Sequence, residues 1–221
     1  MSVDVVVIGA GGFGRETLDV IEAANRASAP LGMNVIGVVD DDPSDQSLER
    51  LRVRGYAHIG TIHDVLEAAP CRHFVLAVGS PSAKASIAAV FRGAGWVAVT
   101  VLHPDAVLGS QVRIGDGAVI CGGVQVSTNS SIGMHVHLNP NATIGHDAVL
   151  GEFTSINPGA IISGEVEVGA RTLIGAGAVV LQGLVIGHDS LVGASSCVTK
   201  DVPSDTVVVG IPARPIEDGT E

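Results

Sequence analysis

Residues 138–156 read LNPNATIGHDAVLGEFTSI, and in this stretch Leu138, Ile144, Leu150 and Ile156 recur at every sixth position. The beat runs on without a break in both directions. It passes through Leu102, Leu108, Ile114, Ile120, Val126 and Ile132 on one side, and Ile162, Val168, Ile174, Val180, Ile186, Val192 and Val198 on the other, seventeen steps in all. A period of six matches neither a helical turn nor the alternation of a continuous strand, but it fits short strands separated by corners. Three such strands close one coil, so the stretch reads as a β-solenoid of roughly five coils, above the minimum of about three that stacking requires. Two residues before most of the aliphatics the side chain is small, as at Ala118, Ser130, Ala142 and Ala160, so both can point into a narrow interior. Glycine directly follows the aliphatic at nine positions, among them Gly133, Gly145 and Gly187, and is expected to supply the backbone angles of the corners. The unbroken register leaves no room for an inserted loop.

Composition narrows the function classes. The 221-residue chain is 46% hydrophobic but only 3% aromatic, which describes a folded protein whose core is built from small aliphatic side chains. A formal charge of −11 with only 12 Lys and Arg argues against a nucleic-acid surface, which needs clustered cations. Cys71, Cys121 and Cys197 are odd in number and lack CxxC spacing, so reduced thiols are expected. The N-terminus shows no basic region followed by a cleavable apolar segment, and no run has the length of a membrane span; a cytoplasmic location is expected.

The first hundred residues have another rhythm. Val5–Ile8 reads as a buried strand, Gly14–Ala27 as a helix and Val35–Val39 as a second strand, a βαβ opening. A helix near Thr61–Ala69, a strand Phe74–Val78, a helix Ser82–Gly93 and a strand Trp96–Val101 extend it into a small parallel sheet. Residues 1–101 are therefore expected to form a Rossmann-like α/β domain, and residues 102–221 the solenoid with a C-terminal tail. Between the first strand and helix lies Gly9-Ala10-Gly11-Gly12-Phe13-Gly14, a GxGxxG match where backbone amides and a helix N-terminus can meet phosphate. Asp40, Asp41 and Asp42 close the second strand, where a carboxylate can accept hydrogen bonds from ribose or base. The same loop is compatible with a plain helix-on-sheet turn, and Gly79, at another strand end, with a turn of its own.

On the solenoid the histidines available for chemistry are His103, His135, His137, His146 and His188. Inward positions are taken by the aliphatics and the small residues, so His135, His137, His146 and His188 project outward or lie at corners. His146 and His188 occur in twin phrases, Ile144-Gly145-His146-Asp147 and Ile186-Gly187-His188-Asp189. Their separation is two coils plus one third, which puts them on different sides of the prism. His146 has Thr128 one coil before and Gly164 one coil after, leaving space beside its ring; spacing alone leaves both histidines open. A zinc site using His137 would need a second histidine where Ala142 stands, and no metal centre is expected. Asn139 and Asn157 are one coil apart, as are Pro140 and Pro158, so these corners stack and Asn139 also reads as one rung of a structural ladder.

The order of the glycine loop, Asp40-Asp41, His103-Pro104, the hexapeptides, Leu138-Asn139, His146-Asp147 and Gly210-Ile211-Pro212-Ala213-Arg214 resembles the bacterial sugar O-acyltransferases of the sialic acid O-acetyltransferase type. Within them it is most similar to N-acetyltransferases acting on nucleotide-linked 4-amino-sugars. The resemblance implies a left-handed parallel β-helix, a homotrimer with sites between adjacent prisms, and acetyl-CoA as acyl donor. It implies that Gly11, Gly12, Phe13, Asp40, Asp41 and Gly79 bind the nucleotide-sugar, that His146 is the general base and that Asp147 raises its basicity. Asn139, Ser155, Ala176 and Ala194 would line the acetyl-CoA groove, with Lys200 and Arg214 toward the CoA phosphates. Two positions depart from the pattern: Ser155 stands where amino-sugar enzymes often carry a second histidine, and Phe13 where relatives often place histidine beside the phosphates. The rival expectations are O-acetylation of a sugar hydroxyl, a non-catalytic trimer that binds a nucleotide-sugar, and an NAD-dependent oxidoreductase, for which the second half of a dinucleotide fold is missing.

Overall fold

The computed structural model describes residues 2–27 and 32–216; the end of the C-terminal tail, residues 217–221, lies outside them. The first part is a parallel sheet of four strands in the order β2-β1-β3-β4, with β1 at Val3–Ile8, β2 at Met33–Val39, β3 at His73–Leu76 and β4 at Val97–Ala98. β1 is covered on both faces, which explains why Val5, Val6, Val7 and Ile8 form a continuous apolar run instead of alternating. Helices α1 (Gly12–Ala27), α2 (Asp45–Val53), α3 (Ile62–Ala68) and α4 (Pro81–Gly93) connect the strands. α3 begins in a capping box between Thr61 and Asp64, and α4 begins with Ser80 as cap and Pro81 in its first turn. The sequence reading contains no counterpart of α2. That helix is capped by Ser44 and buries only Leu51, so its apolar stripe is too thin to stand out.

Seventeen two-residue strands follow, from Val101–Leu102 to Cys197–Val198, stacked into three walls. Wall 1 holds Val101–Leu102, Val119–Ile120, His137–Leu138, Ser155–Ile156, Leu173–Ile174 and Leu191–Val192. Wall 2 runs from Val107–Leu108 through Thr143–Ile144 to Cys197–Val198, and wall 3 from Arg113–Ile114 through Val149–Leu150 to Val185–Ile186. Neighbours on a wall pair in parallel at a spacing of eighteen residues, as in His137 with Ser155 and Thr143 with Ile161. The last coil is shorter: Leu191 pairs with Val207, and an antiparallel strand at Arg214–Pro215 then covers the open edge. Leu138, Ile144, Ile156, Ile162 and the small Ala118, Ala142, Ala148 and Ala160 are fully buried, as the repeat requires.

Two sequence expectations are corrected here. The strand expected at Trp96–Val101 is divided: Val97–Ala98 pairs with β3, whereas Val101–Leu102 pairs with Val119–Ile120 and is the first rung of the solenoid. The chain leaves the sheet between them and turns into the prism. The glycines after the aliphatics also do a different job from the one expected. None of them has positive φ; the left-handed residue falls two positions later, as at Gln111, His135, Asp147 and Phe153. What Gly133 provides is clearance, since a Cβ there would lie 2.7 Å from the Glu152 nitrogen of the next coil.

The two parts share one continuous core along wall 1. Its outward side chains Val101, Val119, His137 and Ser155 are buried, whereas outward Val107 on wall 2 and Val149 on wall 3 are exposed. The α/β domain is what covers wall 1. Phe13 stacks on His137 with ring centroids 4.5 Å apart, and Lys84 Nζ of α4 donates to the His135 and Thr154 carbonyls at 3.2 and 3.0 Å.

Candidate active site

His146 and Asp147 lie at the corner between walls 2 and 3. Asp147 has φ 59, and that left-handed turn swings its carboxylate back onto the preceding ring: Oδ2 is 2.8 Å from His146 Nδ1. A carboxylate only accepts, so Nδ1 carries a proton, and in the neutral ring it is Nε2 that keeps the lone pair. Asn129, one coil earlier, donates to the other carboxylate oxygen at 3.1 Å. The hydrogen bond from His146, followed by the one from Asn129, holds the Asp147 carboxyl below its ordinary range. Nε2 lies over Gly164, where a Cβ would overlap it. Gly164 therefore leaves room for the ring, as its spacing from His146 suggested.

The twin phrase makes the same local pair at the corner between walls 3 and 1, with His188 Nδ1 2.9 Å from Asp189 Oδ2. Its carboxylate is differently engaged. Arg171 grips both oxygens of Asp189 at 2.6 Å, and that bond first of all pushes the carboxyl down to about 2. A carboxylate already neutralised by a guanidinium does less to stabilise an imidazolium. His188, Asp189 and Asp205 bring ligand atoms within 4.8 Å of one another, all exposed.

The glycine loop divides by role. Gly9 (φ 117) passes under the Ala77 carbonyl, and a Cβ on Gly14 would overlap the Gly9 carbonyl, so these two glycines permit the tight strand-to-helix turn. Gly11 and Gly12 are exposed with nothing within 4 Å of a Cβ, so they leave open space at the start of α1. Asp40 Oδ2 accepts from the Ala10 amide at 2.7 Å and Oδ1 from the Asp42 amide at 3.1 Å. Asp41 Oδ1 accepts from the Ile62 amide at 2.7 Å, which ties the strand end to α3. Beside the loop is a cavity of about 500 Å³ whose lining includes Gly12, Arg15, Arg50 and Arg54.

Other expected site residues fall into groups. Asn139, Ala176 and Ala194 share the corner between walls 1 and 2; Asn139 donates to Asn157 at 3.0 Å, the ladder the spacing suggested, and the two alanines are exposed. Lys200 and Arg214 line one cavity of about 150 Å³ at the end of the solenoid. Ser155 is buried on wall 1 and its hydroxyl donates to the Gly79 carbonyl at 3.0 Å, so it fastens the two domains. His146 stands on the edge of the prism opposite wall 1, so one chain does not bring it to the glycine loop or to Ser155.

The N-terminal part matches the family model of the PglD N-terminal domain over residues 4–91. A GDP-perosamine N-acetyltransferase of Escherichia coli O157:H7 is 29% identical over 141 residues, a match spanning 64% of this chain and 61% of that relative's length. The solved structure of PerB from Caulobacter crescentus, in complex with CoA and GDP-perosamine, superposes with a TM-score of 0.86 at 29% identity over 97% of both chains. The chain is similar along nearly its whole length to nucleotide-linked amino-sugar N-acetyltransferases. The acetyltransferase domain of PglB from Neisseria gonorrhoeae, in complex with acetyl coenzyme A, matches with a TM-score of 0.83 at 27% identity over 98% of this chain and all of that one. The architecture shared with these structures is a Rossmann-like α/β domain on a left-handed parallel β-helix.

The seam of this fold left no local mark in the sequence. Lys84, His135 and His137 are buried between its domains, and burial drives Lys84 down to about 6 and His135 to about 4. His137, read as outward and open to substrate, lies beneath Phe13. The outward column Val119, His137 and Ser155 is mixed in polarity and does not distinguish this wall from the other two. Among the described residues no helix is long and apolar enough to cross a membrane.

Proposed function

We propose that this protein transfers the acetyl group of acetyl-CoA to the amino group of a nucleotide-linked amino-sugar, with a GDP-linked sugar favoured by the relatives' substrates. The observation that carries the reading is the His146–Asp147 pair, which turns Nε2, the acceptor atom of the neutral ring, toward a corner widened by Gly164. Attack on a thioester requires a neutral amine and a base that accepts a proton near neutral pH, the range in which imidazole works. Nε2 takes the proton as the amine attacks the thioester carbonyl, Asp147 holds the tautomer and stabilises the imidazolium, and the C–S bond then breaks to release CoA thiolate, which takes a proton back from the imidazolium or from water. A direct transfer of this kind needs no covalent intermediate.

The glycine loop is the proposed nucleotide-sugar site. Gly11 and Gly12 leave space for diphosphate at the start of α1, Asp40 fixes the loop from the end of β2, and Asp41 ties that strand end to α3. Phe13 is committed to His137, so it supplies a wall in place of the charged contact of a histidine. For acetyl-CoA we assign the exposed corner line of Ala176 and Ala194, with Lys200 and Arg214 toward its phosphates. Because His146 faces away from the loop of its own chain, the site is completed by a second copy, in keeping with a homotrimer. A cytoplasmic location follows from its proposed substrates. Incubation with acetyl-CoA and either amino-sugar or hydroxyl-sugar nucleotides tests the reading: N-acetylated product supports it, and O-acetylation alone refutes it.

A further inference from the structure

Position 13 brings no charge to the glycine loop, because Phe13 is committed to His137. The open amides at Gly11 and Gly12 are then the loop's own means of holding a diphosphate, in a chain whose net charge is −11. The cavity of about 500 Å³ beside the loop is lined by three arginines, and they are not equivalent. Arg54 is neutralised, with its guanidinium 2.7 Å from Asp19 and 2.8 Å from Glu22. Arg15 and Arg50 make no ion pair among the described residues. Arg15 Nη1 donates to the Ala10 carbonyl of the loop at 3.0 Å and to the Ser47 hydroxyl of α2 at 3.4 Å, so both its hydrogens are engaged and the Nε–Nη2 edge remains. That is the edge with which Arg171 grips Asp189 and Arg52 grips Glu49, the two-pronged contact a guanidinium offers to a carboxylate or a phosphate. Arg50 stands one turn along α2 from Ser47 and is exposed. Of the carboxylates in the lining, Asp19 and Glu49 are held by Arg54 and Arg52, and Glu16 lies near the solenoid, where burial and then Glu16 push the Cys121 thiol up to about 12.

We infer that Arg15 and Arg50 clamp the diphosphate of the nucleotide-sugar from the two sides of the α1–α2 cavity, supplying the cationic contact that residue 13 does not. The inference rests on the glycine loop being the nucleotide-sugar site. Arg15 is pinned to the carbonyl of Ala10, the residue whose amide Asp40 holds, so its remaining edge is set beside Gly12 before a ligand arrives and little freedom is lost on binding. Arg50 has no such anchor and closes on the ligand from α2. Both contacts go to phosphate oxygens, so they add affinity without reading the base.

Titration of the full chain with GDP by calorimetry, and with guanosine as a phosphate-free control by ligand-observed NMR, tests the clamp in wild type, Arg15→Gln and Arg50→Gln. Each variant is expected to bind GDP about tenfold more weakly, the scale of a lost charge-assisted hydrogen bond, and to raise the KM for the nucleotide-sugar by the same factor. The affinity for guanosine and the KM for acetyl-CoA are expected to stay the same. Arg15 also supports the Ala10 carbonyl, so Arg50→Gln, which removes no contact within the described chain, keeps the test decisive should Arg15→Gln not fold. Folded variants that bind GDP like wild type overturn the clamp, and so does an equal loss for guanosine, which would place these arginines on the nucleoside. A wild type that does not bind GDP would remove the nucleotide-sugar reading itself, and the clamp with it.

Discussion

His146 Nδ1 is 2.8 Å from Asp147 Oδ2, and Asn129 holds the other carboxylate oxygen of Asp147 at 3.1 Å. This chain of contacts fixes one imidazole tautomer and leaves Nε2 as the acceptor. Replacement of the ring in His146→Ala is expected to lower kcat by roughly 10² to 10⁴ with the fold retained. His188→Ala, which removes the twin ring at the other corner, is expected to leave kcat within about twofold of wild type, since a working base is worth at least tenfold. Steady-state assays of both variants, with circular dichroism as a fold control, check the pair of outcomes.

Gly164 makes a second claim on the same ring. A Cβ at this position overlaps His146 Nε2, and the glycine backbone is not left-handed, so Gly164→Ala displaces the imidazole without straining the chain. A base moved by about 1 Å loses up to roughly 10² in rate. Turnover falling by that order at unchanged thermal stability supports the placement; wild-type turnover contradicts it.

The architecture of the solenoid was legible because a period of six constrains every coil alike: Leu138, Ile144 and Ile156 are buried for one shared reason. The ruler of eighteen residues also placed Gly164 beside His146 and Asn139 beside Asn157. It did not show which wall the first domain covers, because docking is a long-range contact with no local period. Ser155, a groove residue only by what the family resemblance implied, is buried against Gly79. Lys84 sits mid-helix among alanines and serines and gave no sign of being a buried amine.

Ser155→Ala separates the two roles of that hydroxyl. As a domain fastener it contributes about 1 kcal/mol through its bond to the Gly79 carbonyl, so the variant should unfold at lower denaturant with kcat unchanged. A tenfold fall in kcat at unchanged stability would return Ser155 to the thioester.

Lys84 makes stability depend on pH. Its amine titrates near 6 in the folded chain, because of burial, and near 10.5 when unfolded. Between those values the unfolded chain binds the extra proton, so stability rises with pH by up to about 1.4 kcal/mol per unit and falls as pH drops toward 6. Lys84→Met abolishes this contribution. Chemical denaturation of both proteins at pH 7, 8 and 9 is expected to show a shallower pH slope for the variant; parallel slopes would mean that Lys84 stays protonated.

The position of His146 on the edge opposite the glycine loop calls for mixed oligomers. His146→Ala and Gly12→Trp chains, each inactive alone, are expected to recover a fraction of wild-type turnover when refolded together, since one complete site then forms between unlike copies. Recovery absent from mixtures shown by native mass spectrometry to be mixed would mean that each chain builds its own site.

The most direct test follows acetyl transfer from acetyl-CoA to GDP-perosamine by wild type and His146→Ala, with the product resolved by mass spectrometry and NMR. The wild type is expected to yield an N-acetylated sugar nucleotide, and the variant a rate lower by roughly 10² or more. Acetylation at a hydroxyl, or equal rates from the two proteins, would contradict it.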